Sequence, residues 1–160
     1  MKLRFILMLC LLVVLSATAD AQSLTAITES EVHAMLDRME KATKKRNVAG
    51  IIVPFAPDIK IKIYVTNPRT NKEVGTTFTK AQFAAALRLT FRRSLAYQYE
   101  RKNTRVKIYD EQTATITSEI YETVKMREGT VRGASSEVTY VSLRNGKLVI
   151  TEIEGRIRTY

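Results

Sequence analysis

The stretch EVTYVSLRNGKLVITEIEGRIR, Glu137 to Arg158, consists of two alternating runs that meet at Arg144-Asn145-Gly146-Lys147. Asn and Gly both tolerate positive φ, which a two-residue type I′ turn requires at both central positions, so the stretch predicts a β-hairpin. A turn at Asn145-Gly146 pairs Leu143 with Leu148, Val141 with Ile150, Thr139 with Glu152 and Glu137 with Glu154 on one face. The other face then pairs Ser142 with Val149, Tyr140 with Thr151 and Val138 with Ile153. Both faces are substantially apolar, whereas a sheet with one wet side should be polar there. That predicts a homodimer packed through its sheets. Glu152 continues the Leu148 and Ile150 face opposite Thr139, where a carboxylate under the helices could act as an acid/base or anchor a ligand. The alternative is a rim position, with Glu137, Glu152 and Glu154 paired to Arg132, Arg156 or Arg158.

Upstream of the hairpin, Thr104 to Tyr109, Thr113 to Arg127 and Ser135 to Leu143 have period two, with gaps too short for a crossover helix. The last four strands are therefore an antiparallel meander. Before them, Thr79-Lys80-Ala81-Gln82 matches a capping box and opens a helix expected to reach about Tyr99. Phe83, Ala86, Leu87, Thr90, Phe91, Ser94 and Gln98 share one face of that helix, and Arg88 and Arg92 lie opposite. The buried face grows polar toward its end, which makes Phe91, Ser94 and Gln98 candidate cavity-wall residues together with Thr139. Ser and Thr hydroxyls also simply bond back to their own helix. Ile59 to Val65 alternates as a strand, Asn67-Pro68 turns the chain, and Glu73 to Phe78 is a short return strand. A helix with the buried stripe Val32, Met35, Leu36, Met39, Ala42 and Thr43 comes first, then a brief helix over Asn47 to Phe55. His33, the only histidine, falls to the side of that stripe with Asp37, Glu40 and Lys44 and is expected to face solvent rather than a pocket.

Lys2 and Arg4, an apolar run from Phe5 to Leu15, and small residues at Ser16, Ala17 and Ala19 form a secretory signal peptide, with cleavage near Ala21. The run is shorter than the about 20 residues that span a bilayer, so no membrane span is expected in the mature chain. Cys10 lies inside the run, so the mature chain, residues 22–160, has no disulfide, thiolate nucleophile or cysteine metal ligand. One domain of ordinary size is expected, secreted or periplasmic. The net charge is +10, and removing Lys2, Arg4 and Asp20 leaves +9, which favours anionic partners. An exported protein rarely meets nucleic acid, so an acidic envelope component is the better candidate, with Arg88 and Arg92 as basic surface. Neither a histidine or cysteine cluster for metal nor a Gly-rich phosphate loop is present, so no cofactor is expected.

Helix, short helix, strand, turn, strand, long capped helix and four antiparallel strands, ending in Asn145-Gly146-Lys147-Leu148-Val149-Ile150, resemble the nuclear transport factor 2-like (SnoaL-like) superfamily. Leu148 stands where many members have tryptophan. The resemblance implies a cystatin-like α+β cone, a curved antiparallel sheet wrapped around the long helix with a cavity inside. It also implies a choice among binding domains, assembly or immunity-like proteins, and cofactor-free isomerases, dehydratases and cyclases, because fold does not select function. The sequence favours a non-catalytic domain binding a small apolar ligand in the cavity or an acidic partner on its surface. Glu152, with Tyr64, Tyr97 or Tyr140 as donors, is the catalytic candidate if the protein is an enzyme.

Overall fold

A computed structural model describes residues 23–67 and 70–160. The leader, its cleavage site and Cys10 lie outside the described residues. The chain runs α1 (Glu29–Lys44), α2 (Val48–Ile52), β1 (Phe55–Thr66), β2 (Glu73–Phe78), α3 (Lys80–Arg93), β3 (Ala96–Ile108), β4 (Thr113–Met126), β5 (Gly129–Arg144) and β6 (Lys147–Thr159). This is the expected α+β layout. The strands form one sheet in the order β2-β1-β6-β5-β4-β3. Antiparallel pairing holds throughout except where β1 runs parallel to β6.

Local chemistry starts each helix. Thr28 caps α1 by accepting from the Glu31 amide, and Asn47 caps α2 by accepting from the Gly50 amide. Thr79 and Gln82 close the capping box of α3 in both directions. The stripe of α1 buries as its spacing requires: Val32, Met35, Leu36 and Met39 pack on Ile59, Ile61, Ala114, Ile116, Val141, Ile150 and Ile153 from the concave side of the sheet. Ile61, Ile116 and Ile150 are fully sealed, and each contributes roughly 1.5–3 kcal/mol by leaving water. A second cluster of Ala42, Val48, Ile51, Ala84 and Phe91 locks the three helices together.

The brief helix expected over Asn47 to Phe55 ends at Ile52, and Phe55 already begins β1; three further departures bear on the site. Helix α3 stops at Arg93, with Ser94 extended as its cap, and β3 begins at Ala96. Arg46 fixes this early exit by donating to the carbonyl of Ser94 at 3.1 Å. Gln98 is therefore an exposed strand residue, not a position on the buried face of α3. Strand β5 also continues through Gly129 to Ala134, where a break was expected.

The third departure concerns the hairpin. Leu143 pairs with Leu148 and Val141 with Ile150 as the turn dictates, but the next pair is Tyr140 with Glu152 and then Thr139 with Ile153. Thr151 is an extra residue, a β-bulge, and beyond it every side chain of β6 changes face. Ile153 goes into the core and Glu152 goes outward. Outer positions that would have been apolar instead carry Glu152, Glu154 and Arg156, tied to Lys62 and Glu73. The second apolar face on which the sheet-to-sheet homodimer rested does not form.

Candidate functional site

The early start of β3 brings an alternating Tyr97, Tyr99 and Arg101 onto the concave face, with Gln98 and Glu100 outside. In register, Tyr99 lies opposite Glu122 and Arg101 opposite Ile120 on β4, while Ser118 of β4 lies opposite Glu137 of β5. These side chains form one half-buried polar cluster at the β3 side of the sheet. The Tyr97 hydroxyl donates to Glu122 Oε1. Arg101 donates through Nε and Nη2 to the Tyr99 oxygen at 3.2 and 2.8 Å. Thr139 donates to Glu137 at 3.0 Å. Two buried polar atoms in this region, Arg101 Nη1 and Ser118 Oγ, have no partner among the described residues. Leaving such atoms unpaired is costly unless something else binds them.

The electrostatics follow from burial. Burial raises the pKa of Tyr97 far above that of a free phenol, and the neighbouring Glu122 adds to the shift. Tyr99 is pushed up to about 12, mainly by burial. Burial also raises the Glu122 carboxyl; the hydrogen bond from Tyr97 pulls against this and the field of Glu137 reinforces it. Arg101 is pressed down by burial but held above its usual value by Tyr99, Glu137 and, on α1, Glu40. The cluster thus combines a fixed cation, two neutral phenols and a carboxyl that gains a proton more readily than in water.

The residues expected to form the site are scattered. Phe91 is buried and stacks edge-on against Tyr97 at 5.0 Å between ring centroids, which puts it at the back of the cluster. Ser94 is buried, but its hydroxyl returns to the Phe91 carbonyl at 3.2 Å. Thr139 is buried and touches the cluster through Glu137. Glu152 is outside it, 2.6 Å from Lys62. Arg88 and Arg92 are exposed on α3. His33 is partly exposed beside Glu29. Tyr99, Arg101, Glu122 and Glu137 carry the cluster and were not foreseen there; the signal was the period-two Tyr-Gln-Tyr-Glu-Arg of 97–101, masked by extending the helix across it. Among the described residues no three His, Cys, Asp or Glu side chains gather as metal ligands, and no helix is long and apolar enough to cross a membrane.

Surface concavities lie elsewhere, including one of about 390 Å³ against Asp37, Glu40 and Lys44 of α1. One of about 770 Å³ runs between α1, the start of β1 and the β5–β6 turn. Another, about 280 Å³, sits on the convex face between Tyr121 and Arg156.

No family model matches the sequence, and no curated protein matches it. Solved structures do match in fold. A conserved protein from Planctomyces limnophilus is 15% identical with a TM-score of 0.68, covering 82% of this chain and 97% of its own. An NTF2-like protein from Cytophaga hutchinsonii is 16% identical with a TM-score of 0.63, over 81% and 98%. A hexachlorocyclohexane dehydrochlorinase from Novosphingobium barchaimii is 11% identical with a TM-score of 0.64, over 80% and 84%.

Proposed function

We propose that this chain, which has the nuclear transport factor 2-like fold, binds a small carbonyl or carboxylate compound at its concave polar cluster and moves a proton on it without a cofactor. The observation that carries this is the Tyr97–Glu122 pair, a carboxyl of raised pKa on the same face of the sheet as Arg101, whose Nη1 has no partner among the described residues. A general base works best with its pKa brought toward the working pH, and burial does that here. Arg101 Nη1 and the Tyr99 hydroxyl supply donors for a ligand oxygen on which negative charge develops. Tyr97 holds one oxygen of Glu122, and among the described residues no hydrogen bond engages the other, Oε2. Oε2 is the atom that takes a proton from the carbon next to the ligand carbonyl and gives it back. A dehydrochlorinase among the structures of similar fold is compatible with such chemistry. We further propose that the protein works outside the cytoplasm, on the strength of leader residues 1–21.

The test is proton exchange into a panel of small ketones and α-keto acids in deuterated water, followed by NMR. Wild type should exchange α-protons of at least one member. Glu122→Gln should still bind that member but lose about 100-fold or more in exchange, and Arg101→Gln should weaken binding. Binding without exchange in wild type would make the protein a carrier, the reading that the sequence alone favours. No binding by any member, with wild type and both variants folded, would remove the cluster as a site.

A further inference from the structure

The groove of about 770 Å³ is remote in kind from the concave cluster, and its lining combines apolar with cationic side chains. Its floor is apolar, made by Met35 and Met39 of α1 with Val53, Pro54 and Leu148. Val53 is 75% exposed, an apolar side chain left in water at the groove's edge. Arg38, Lys41 and Lys45 also border the groove, spaced three and four apart so that they form one stripe along α1. Lys147 adds a further positive charge from the hairpin turn, against one carboxylate among the described lining residues, Glu31. Among the described residues none of these four cations forms an ion pair, whereas Lys44, one residue away, is paired with Glu40 at 2.6 Å. The volume falls in the roughly 300–1,000 Å³ range of small-molecule sites. Methionine floors adapt to flexible apolar partners.

We propose that this groove binds a single-chain anionic amphiphile. Its alkyl chain lies on Met35, Met39 and Leu148, covering Val53, and its head group meets the cationic stripe of Arg38, Lys41 and Lys45. An acidic peptide would use the stripe but not need the apolar floor, and a neutral alkyl chain would use the floor but leave four like charges facing one another. Only an amphiphile with a negative head matches both halves. Lysine and arginine stems also lie along apolar surface while their heads stay wet, so the two halves can be engaged together.

The test uses dodecanoate below its micelle concentration, titrated calorimetrically into the full mature protein, with dodecanol and a short acidic peptide as comparison probes. Dodecanoate should bind at least about tenfold more tightly than either. The triple variant Arg38→Glu, Lys41→Glu, Lys45→Glu should lose about tenfold or more, and the loss should shrink in high salt. Ala34→Phe, which fills the groove and leaves every cation in place, should lose dodecanoate binding while keeping its affinity for the peptide. Equal dodecanoate affinity in wild type and either variant would overturn the proposal. So would binding to phosphatidylglycerol vesicles without binding of monomeric dodecanoate, which would make the stripe a membrane-surface patch instead. Neither variant touches Glu122 or Arg101, so the outcome is independent of the concave site.

Discussion

Glu122 and Gly146 are the residues where the structure makes the sharpest demands. Burial raises the Glu122 carboxyl above its unfolded value, so between the two pKa values the folded protein binds more protons than the unfolded one. Stability therefore falls as pH rises through that window and stays reduced above it. Glu122→Gln keeps an acceptor for Tyr97 and removes the buried charge. We expect it to raise Tm at pH 7 by a few degrees, the response of a domain this size to about 1 kcal/mol, with the advantage fading as pH falls below the window. Thermal scans from pH 4 to pH 8 measure this; a constant difference would contradict it. Gly146 is required for two reasons. Its φ is +67°, and the segment entering α1 crosses it so closely that an added Cβ would sit 3.1 Å from Ser23 Cα. The Leu24 amide donates to the Gly146 carbonyl at 3.0 Å across this crossing. Gly146→Ala should cost about 1–3 kcal/mol, for backbone strain and a displaced entry segment, by urea denaturation.

At the level of elements, two comparisons test how the pieces are held. Thr79→Ala removes the acceptor that caps α3 and should cost about 1 kcal/mol. Ile153→Ala should cost about 2–5 kcal/mol, while its neighbour Glu152→Ala should change stability little, since Ile153 is 6% exposed and Glu152 sits at the surface. The opposite ranking would mean that β6 has no bulge. These elements also mark how far the sequence could be read. The α3 capping box, the α1 stripe, the Asn145-Gly146 turn and the meander were legible, because capping, helical periodicity and turn geometry are local. The end of α3 was not. Ser94-Leu95-Ala96 has no strong stop signal, and the exit depends on Arg46, 48 residues earlier. The bulge was equally hidden, since an unbroken Leu-Val-Ile-Thr-Glu-Ile run reads as regular alternation. Both misplacements fell on the candidate site: one concealed Tyr99 and Arg101, and the other turned Glu152 to the wrong side.

Taken as a whole molecule, the sheet is closed by contacts far apart in the chain. Strand β1 lies between β2, its sequence neighbour, and β6, whose residues follow it by about ninety positions, as in Ile61 against Ile153. Ordering such a loop comes before its contacts are rewarded. We expect refolding in the millisecond-to-second range, slower than a helical bundle of equal length. Stopped-flow kinetics would show it, and a microsecond phase carrying the full amplitude would contradict it. The Thr151 bulge also reaches beyond this molecule. Laid against another cone-shaped chain whose last hairpin is regular, this sequence needs a one-residue gap opposite Thr151. Without it, Glu152 would be matched to inward positions and Ile153 to outward ones through to the C-terminus, and residues that share a place in space would be compared with the wrong partners.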